Sequence, residues 1–351
     1  MKPSLFVGPW NIASLDKIEK NGLKVFSCFH CGGGSTMGYK LAGYEMLGGV
    51  DIDKDMMSVY RANHKPKHSY LMGVQEFKDQ PNIPQELYKL DILDGSPPCS
   101  AFSTAGSRDK KWGVETHFRE GQQVQRLDDL FFHFIDIAKK LQPKVVVAEN
   151  VRGLIIGKAK GYVAEIFQAF RDAGYRPQLF LLNASRMGVP QARERTFFIA
   201  TREDLNAPPV KLEFIEQIIT SSQAFDGVTH EDERPAGPGV MKYLVRTPPG
   251  GCLADSNPKG SMFNLVRLHP DKPAPTLTAS CQLYHSTENR KITQAEAIRL
   301  QTFPDDYNRL EEDMRYVCGM SVPPFMMQRV ALEIGRQVFG IEYDHTRRTL
   351  A

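Results

Sequence analysis

Residues 24–52, KVFSCFHCGGGSTMGYKLAGYEMLGGVDI, constrain the fold more than any other part of the chain. KVFSCFH (24–30) reads as a buried strand that runs into CGGGSTMG. The helical pattern MGYKLAGYEM follows, and LGGVDI (47–52) is a second strand closing on Asp51. Glycines between a strand and a helix let the backbone approach a ligand. A carboxylate about twenty residues further on, at the end of the next strand, suits a ribose diol.

The pattern then recurs. LDILD (90–94) reads as a strand ending at the loop SPPC, and the helix LDDLFFHFIDIAKKL (127–141) leads to the strand KVVVAEN (144–150). Another helix, GYVAEIFQAFRDAGY, precedes LFLLNAS and then RTFFIAT (195–201). Strands alternating with amphipathic helices imply an α/β sheet with ligands at the carboxyl ends of its strands. SPPC and ENV both fall at such ends, which puts Cys99 and Glu149 on one rim. A cysteine behind two prolines, in a loop of small residues, is displayed for chemistry rather than for packing.

From 203 to 266 the character changes. Short strand candidates, the polar run SSQAFDGVTHEDERPAGPG and PPGGC (248–252) favour loops and small strands over another βα unit, so a small inserted domain is expected. Helical sequence returns in TQAEAIRLQTF and PPFMMQRVALEIGRQVF. The residues before 24 read as a partly helical lead-in, and DHTRRTLA as a frayed tail.

Composition narrows the class. At 351 residues the chain suits one large domain, or a large and a small one. A net charge of +3 permits a nucleic-acid partner without requiring one. Six cysteines (28, 31, 99, 252, 281 and 318) are too few and scattered for a disulfide framework. Cys28 and Cys31 form a C-x-x-C, but no second pair completes a metal set, and a glycine-rich ligand loop explains them better. Cys252, Cys281 and Cys318 read as structural, and His269, His285 and His345 as surface or core filler. No apolar run approaches bilayer length and the N-terminus has no signal-peptide core, so a soluble, intracellular protein is expected.

The ordered blocks CGGG…VDID, SPPCSAFS, ENVRGL, GVPQARER, KPAPTLTAS, RLQTFPDDY and GMSVPP closely resemble the cytosine-C5 DNA methyltransferases. The likeness covers nearly the whole chain in the family's order, except 203–266, where that family keeps its variable target-recognition region. It implies a Rossmann-like, S-adenosylmethionine-dependent catalytic domain over 1–202 plus 284–351. A small domain over 203–283 would read double-stranded DNA. It further implies a monomer without a metal, in the cytoplasm of a bacterium or a phage-infected host, with a cognate restriction endonuclease as a candidate partner.

The residues make chemical sense of this. Cytosine C5 is a poor nucleophile, and addition of the Cys99 thiolate to C6 would activate the ring. Glu149 would hold N3 and the exocyclic amine, donating a proton to N3, a role that needs a carboxylic acid of raised pKa. By resemblance Arg195 would contact O2 and Arg193 would brace the catalytic loop; two apart at a strand start, they are expected to point in different directions. The base must be flipped out of the duplex, and 100–121 looks like the loop that closes over it. There Ser103, Arg108, Lys110 and Lys111 are the DNA-contact candidates, the two lysines also reading as a plain solvated face, and Trp112 is either a wedge or a packing residue. For the cofactor, the resemblance implies Phe29, Cys31, Gly33 and Gly34 in the turn, and Asp51 on the ribose. It adds Ile52 on adenine, with Val74, Ser96, Pro98, Leu130, Met320, Ser321 and Val322 around the remainder.

Departures from the family pattern cluster at the cofactor. Phe29 is followed by His30 and Cys31 rather than a small residue and Gly, Gly73 stands where an Asp usually meets the adenine amine, and Met320 replaces an Asn. Drift accounts for these; the alternative is an altered donor such as carboxy-S-adenosylmethionine, with His30 meeting the added charge. Two further alternatives are a tRNA cytosine-C5 methyltransferase and a catalytically dead DNA-binding scaffold.

Overall fold

The computed structural model describes residues 4–98, 115–116, 125–126, 129–156, 160–229, 232–259, 261–262 and 264–350. In chain order, β1 (Ser4–Val7) precedes β2 (Lys24–Cys28), α1 (Gly34–Leu41), β3 (Glu45–Asp51), α2 (Lys54–His64), β4 (His68–Leu71), α3 (Val74–Asp79) and β5 (Ile92–Gly95). A two-residue pair, β6 (Glu115–Thr116) with β7 (Gln125–Arg126), is followed by α4 (Leu130–Leu141), β8 (Val145–Val151), α5 (Lys160–Asp172), β9 (Tyr175–Asn183), β10 (Gln191–Ala192) and β11 (Glu194–Arg202). Then come α6 (Ser221–Phe225), α7 (Pro238–Leu244), β12 (Val266–Arg267), β13 (Ala274–Pro275), β14 (Leu283–Tyr284), α8 (Gln294–Gln301), α9 (Met314–Met320), α10 (Pro324–Phe339) and β15 (Asp344–Leu350).

Seven strands form one sheet in the order β4-β3-β2-β5-β8-β11-β9. β4, β3, β2, β5 and β8 run parallel, and β11 is antiparallel to both its neighbours. The chain builds outward from β2 to β4, then returns to lay β5 on the other side of β2. That reversal opens a crevice between the carboxyl ends of β2 and β5, where sheets of this kind bind ligands. Both faces are covered. Val25, Ile92, Val145, Val147, Phe197 and Ile199 point into one core with α1 and α10. Their neighbours Phe26, Leu93, Val146, Ala148, Phe198 and Ala200 point into the other with α4 and α5. Strict alternation of two apolar sets explains why these strands read as continuous hydrophobic runs. At Gly38 the first core leaves no room: a Cβ there would stand 2.4 Å from the Met327 Cβ and 2.7 Å from the Pro324 carbonyl oxygen, so α1 and α10 meet backbone to backbone.

Two expectations are corrected and that of a partly helical lead-in is extended. The tail is not frayed, because β15 pairs in parallel with β1 through Leu350. The lead-in contributes that strand as well as a 3-10 helix, Ile12–Lys17. Among the described residues of 203–266 there is no run of small strands: 206–220 has no helix or strand, short helices follow, and Val266 opens the one two-residue strand, which ends at Arg267. Proline explains this, since it removes ladder donors yet suits the first turn of a helix, as Pro238 does in α7.

The segment 206–220 is strapped to the body. The Gln178 amide bonds Val210 N (2.8 Å) and O (3.0 Å), Gln337 bonds Lys211 N and O (2.8 Å each), and Arg329 grips Glu216 at 2.9 and 3.0 Å. Beyond it, Leu244, Leu253 and Tyr284 make a small separate core. Among the described residues no helix is long and apolar enough to cross a membrane, and no group of three His, Cys, Asp or Glu side chains is placed to hold a metal.

Candidate active site

The turn after β2 is bound on every side. Phe29 and Cys31 take positive φ (57° and 46°), as does Gly33 (81°), which ends the turn at the start of α1. Non-glycine residues rarely adopt that region, so the surroundings must hold them there. Asp51, at the end of β3, accepts from Cys31 N (2.8 Å) and from Asp53 N (2.9 Å). His30 Nδ1 lies 2.9 Å from the Cys31 carbonyl, and the Tyr307 hydroxyl donates to the Gly32 carbonyl. Ser321 and Val322 close the other side, because a Cβ on Gly34 would stand 2.1 Å from the Val322 oxygen. Burial pushes the Cys31 thiol up to about 12 and the Cys28 thiol well above its usual range. Both are protonated thiols at neutral pH, as a packed loop requires and a redox or metal pair does not.

Of the expected cofactor residues, the structure brings Cys31, Asp51, Gly33, Gly34, Ser321 and Val322 together around this turn. Phe29 packs with Val74 and Leu130 on the second core. Ile52 follows Asp51, half-buried, and Ser96 donates its N–H to the Cys28 carbonyl at 3.3 Å. Pro98 is half-buried beyond it, and Met320 is 47% exposed. His30 is turned into the protein: its ring stacks on Tyr60 at 3.8 Å and lies under Gly49. Burial lowers its pKa, so it is neutral near pH 7.

On the neighbouring rim the Glu149 carboxylate meets Arg195 Nε at 2.8 Å, both side chains little exposed. The ladder explains the meeting. Phe197 of β11 faces Glu149 of β8, so Arg195 stands diagonally across from it on the same face. Because β11 is antiparallel, its start reaches the rim where β8 ends. The expectation that Arg193 and Arg195 diverge is corrected. Residues two apart share a face, and both guanidiniums feel Glu149, although burial lowers the pKa of each and they repel one another. Their tips differ: Arg193 donates to the carbonyls of Leu277 (2.7 Å) and Gly319 (3.1 Å).

Cys99, Ser103, Arg108, Lys110, Lys111 and Trp112 lie outside the described residues. The base of the Cys99 loop is within them. Asn150 donates from Nδ2 to the Pro97 carbonyl (3.0 Å) and accepts from Val151 N (2.8 Å), tying that loop to the strand end that carries Glu149.

Sequence reasoning passed over four further sets. Asn150 stood in the quoted ENV with no role. Gln191 donates to Gln301 (2.8 Å) and accepts from Leu277 N (2.9 Å), and Gln301 donates to the Ser321 carbonyl (2.6 Å), joining four quoted blocks. Tyr60, His64 and Tyr307 back the glycine turn. Asp94, 1% exposed on β5, accepts from Ser27 Oγ (2.7 Å) and Tyr39 Oη (3.3 Å), and burial raises its pKa to about 7. Only the unusual acid inside the apolar run LDILD signalled it.

The family model for C-5 cytosine-specific DNA methylases matches residues 23–234 and 254–336. The chain is 32% identical to the Type II methyltransferase M.NgoPII of Neisseria gonorrhoeae, over 90% of this chain and 96% of that one. It is 30% identical to the Type II methyltransferase M.FnuDI of Fusobacterium nucleatum, over 89% and 94%. Its fold is similar to that of a DNA modification methyltransferase encoded within an E. coli prophage, at TM-score 0.71 and 20% identity, covering 91% of this chain and 100% of that one. A glycine turn closed by a strand-end acid, a second rim with Glu149 on Arg195, and a family match over most of its length place this chain among the C-5 cytosine-specific DNA methylases.

Proposed function

We propose that Cys99, Glu149, Arg193 and Arg195 carry the methylation of cytosine C5 in duplex DNA. The observation that carries this assignment is the Glu149–Arg195 pair, standing on the rim to which Asn150 ties the Cys99 loop. The Cys99 thiolate adds to C6 of a flipped cytosine while Glu149 gives a proton to N3, leaving C5 nucleophilic. Arg195, held on the face of Glu149, reaches O2. Arg193 spans two backbone carbonyls and fixes the wall behind them. After methylation, water takes the C5 proton, the C6–S bond breaks with its electron pair returning to the thiolate, and the N3 proton returns to Glu149.

The family's cofactor, S-adenosylmethionine, supplies an electrophilic methyl carbon. The donor set at the glycine turn fits it. Each Asp51 oxygen accepts one backbone amide and keeps a lone-pair direction for a ribose hydroxyl. Half-buried Phe29 and Ile52 offer an apolar shelf to adenine, and Cys31, Gly33, Gly34, Val74, Ser96, Pro98, Leu130, Met320, Ser321 and Val322 complete the surround. Neutral, inward-turned His30 brings no positive charge to meet an added carboxylate, so we take the ordinary donor rather than a carboxylated one. Ser103, Arg108, Lys110 and Lys111 are assigned to DNA. Residues 203–283 are assigned to target recognition, with the remainder catalytic. The Type II names of its relatives support a cognate restriction endonuclease as partner, and we take the protein to be a cytoplasmic monomer because one flipped base needs one site.

The test is nucleoside mass spectrometry on DNA from cells that lack cytosine modification and express the chain or its Cys99→Ala variant. 5-Methylcytosine with the intact cysteine alone is expected. A heavier cytosine adduct would point to the carboxylated donor. Unmodified DNA from cells holding the folded protein would overturn the assignment, in favour of tRNA as acceptor or an inactive scaffold.

A further inference from the structure

The glycine turn rests against a column of four rings from three elements. His30 stacks on Tyr60 at 3.8 Å, Tyr60 lies 4.9 Å from His64, and His64 lies 5.9 Å from Tyr307. The turn sits hard against it: a Cβ on Gly33 would come within 2.3 Å of His64 Nε2. A hydrogen-bond chain runs along the same residues. Lys40 Nζ is 3.4 Å from His64 Nδ1, His64 Nε2 is 3.1 Å from the Tyr307 hydroxyl, and that hydroxyl meets the Gly32 carbonyl.

The direction of the chain follows from counting protons. A carbonyl can only accept, so Tyr307 spends its one proton on Gly32 and its oxygen must accept from His64 Nε2–H. His64 Nδ1 is then an acceptor, and the Lys40 ammonium is its donor. Each group has the partner its chemistry needs, provided that His64 is neutral. Burial, aided by Lys40 and His30, holds it well below the ordinary histidine range. At the far end, Lys40 lines a cavity of about 520 Å³ with Asp16, Lys20 and Asp306, away from the turn.

We propose that Tyr307 is a positioning residue for methyl-donor binding: oriented by His64 and Lys40, it pins the Gly32 carbonyl and so keeps the turn from Phe29 to Gly34 in its binding shape. The inference rests on the reading of that turn as the donor site. Its logic is local. With Phe29 and Cys31 both at positive φ, the turn has no intrinsic preference for its observed shape, and Tyr307 supplies a hydrogen bond at the Gly32–Gly33 peptide. No part of Tyr307 is assigned to the reacting atoms, so its loss acts on donor affinity rather than on the chemical step.

The experiment is calorimetric titration of the full-length protein with S-adenosylmethionine, for the wild type, Tyr307→Phe and Lys40→Met. Alongside it run kcat at saturating donor, affinity for substrate DNA, and melting temperature. Tyr307→Phe keeps the ring and removes only the hydroxyl. It should weaken donor binding roughly fivefold to tenfold, as expected for one buried hydrogen bond, with kcat and DNA affinity within twofold of wild type. Lys40→Met leaves Tyr307 intact and should weaken the donor by about twofold to threefold, as loss of an outlying partner would. Donor affinity unchanged in Tyr307→Phe overturns the proposal. So does a joint fall of donor affinity, DNA affinity and melting temperature, because that pattern marks a residue that merely supports the fold. A wild type that binds no donor fails the reading of the site instead, a separate result.

Discussion

Behind β8 and β11, Phe131, Phe134, Phe170 and Phe198 pack edge to face, while among the described residues from α7 to β14 the separate core is Leu244, Leu253 and Tyr284. What that region has instead is arginine. Arg267, 8% exposed, donates to the carbonyls of Leu244, Thr247, Ser286 and Thr287 at 2.9–3.1 Å. Just past that region, at the join to α8, Arg290, 2% exposed, grips Glu296 of that helix through two bonds of 2.8 Å and Glu288 through one of 2.6 Å. The sheet is held by non-directional burial, which tolerates little change of volume. The region from α7 to β14 and its join to α8 are held by directed bonds from arginine to backbone carbonyls and to carboxylates.

The sharpest way to break the comparison is to remove a ring from the sheet. Phe198→Ala should cost about 4 kcal/mol of global stability, read as a lower urea midpoint shared by donor binding and DNA binding. If DNA binding and donor binding are lost at different urea midpoints, the sheet's core is not the common support of both regions. Arg290→Met makes the converse cut, since it leaves Glu296 buried without its guanidinium. DNA affinity should fall at least tenfold, with donor affinity unchanged. Equal loss of both would mean that the arginine supports the whole chain.

Asp94 gives the most graded effect. Its folded pKa, raised to about 7 by burial, stands above that of an unfolded Asp, so the folded state keeps a proton that the unfolded state releases. The stability tied to that proton is complete below about pH 4 and is lost as pH rises to about 7, by up to about 1.4 kcal/mol per unit. Asp94→Asn should not show this loss. The difference in urea midpoint between variant and wild type should therefore grow in the variant's favour from pH 5 to pH 8. A constant difference would mean that Asp94 does not titrate in the folded protein.

Much of this architecture could be read from the residues alone, because the sheet's two apolar sets and the glycine turn announce themselves through alternation and through conformational need. Strand ends at SPPC and ENV located the rim for the same reason. Orientation was harder. Arg193 and Arg195 were expected to diverge, whereas both guanidiniums feel Glu149, and their partners distinguish them: carbonyls of Leu277 and Gly319 for Arg193, Glu149 for Arg195. Those partners are set by pairing between strands distant in the chain. Tyr307 lay inside a quoted block, yet nothing local says that its hydroxyl meets a carbonyl 275 residues earlier. Residues 206–220 carry no periodicity because the strap along Gln178, Gln337 and Arg329 uses side chains of other elements as its hydrogen-bond partners.

Gly38 carries no chemistry, yet the glycine turn begins the helix it belongs to, and Val322 precedes the helix it touches. One methyl group there would act as a wedge between two elements that must close on the same ligand. The damage would be mechanical and graded, worsening as thermal motion widens the gap, with every catalytic group still present. A position of that kind is where a conditional allele would be sought: methylation permitted in a cool culture, withdrawn in a warm one, and restored on cooling without new protein synthesis.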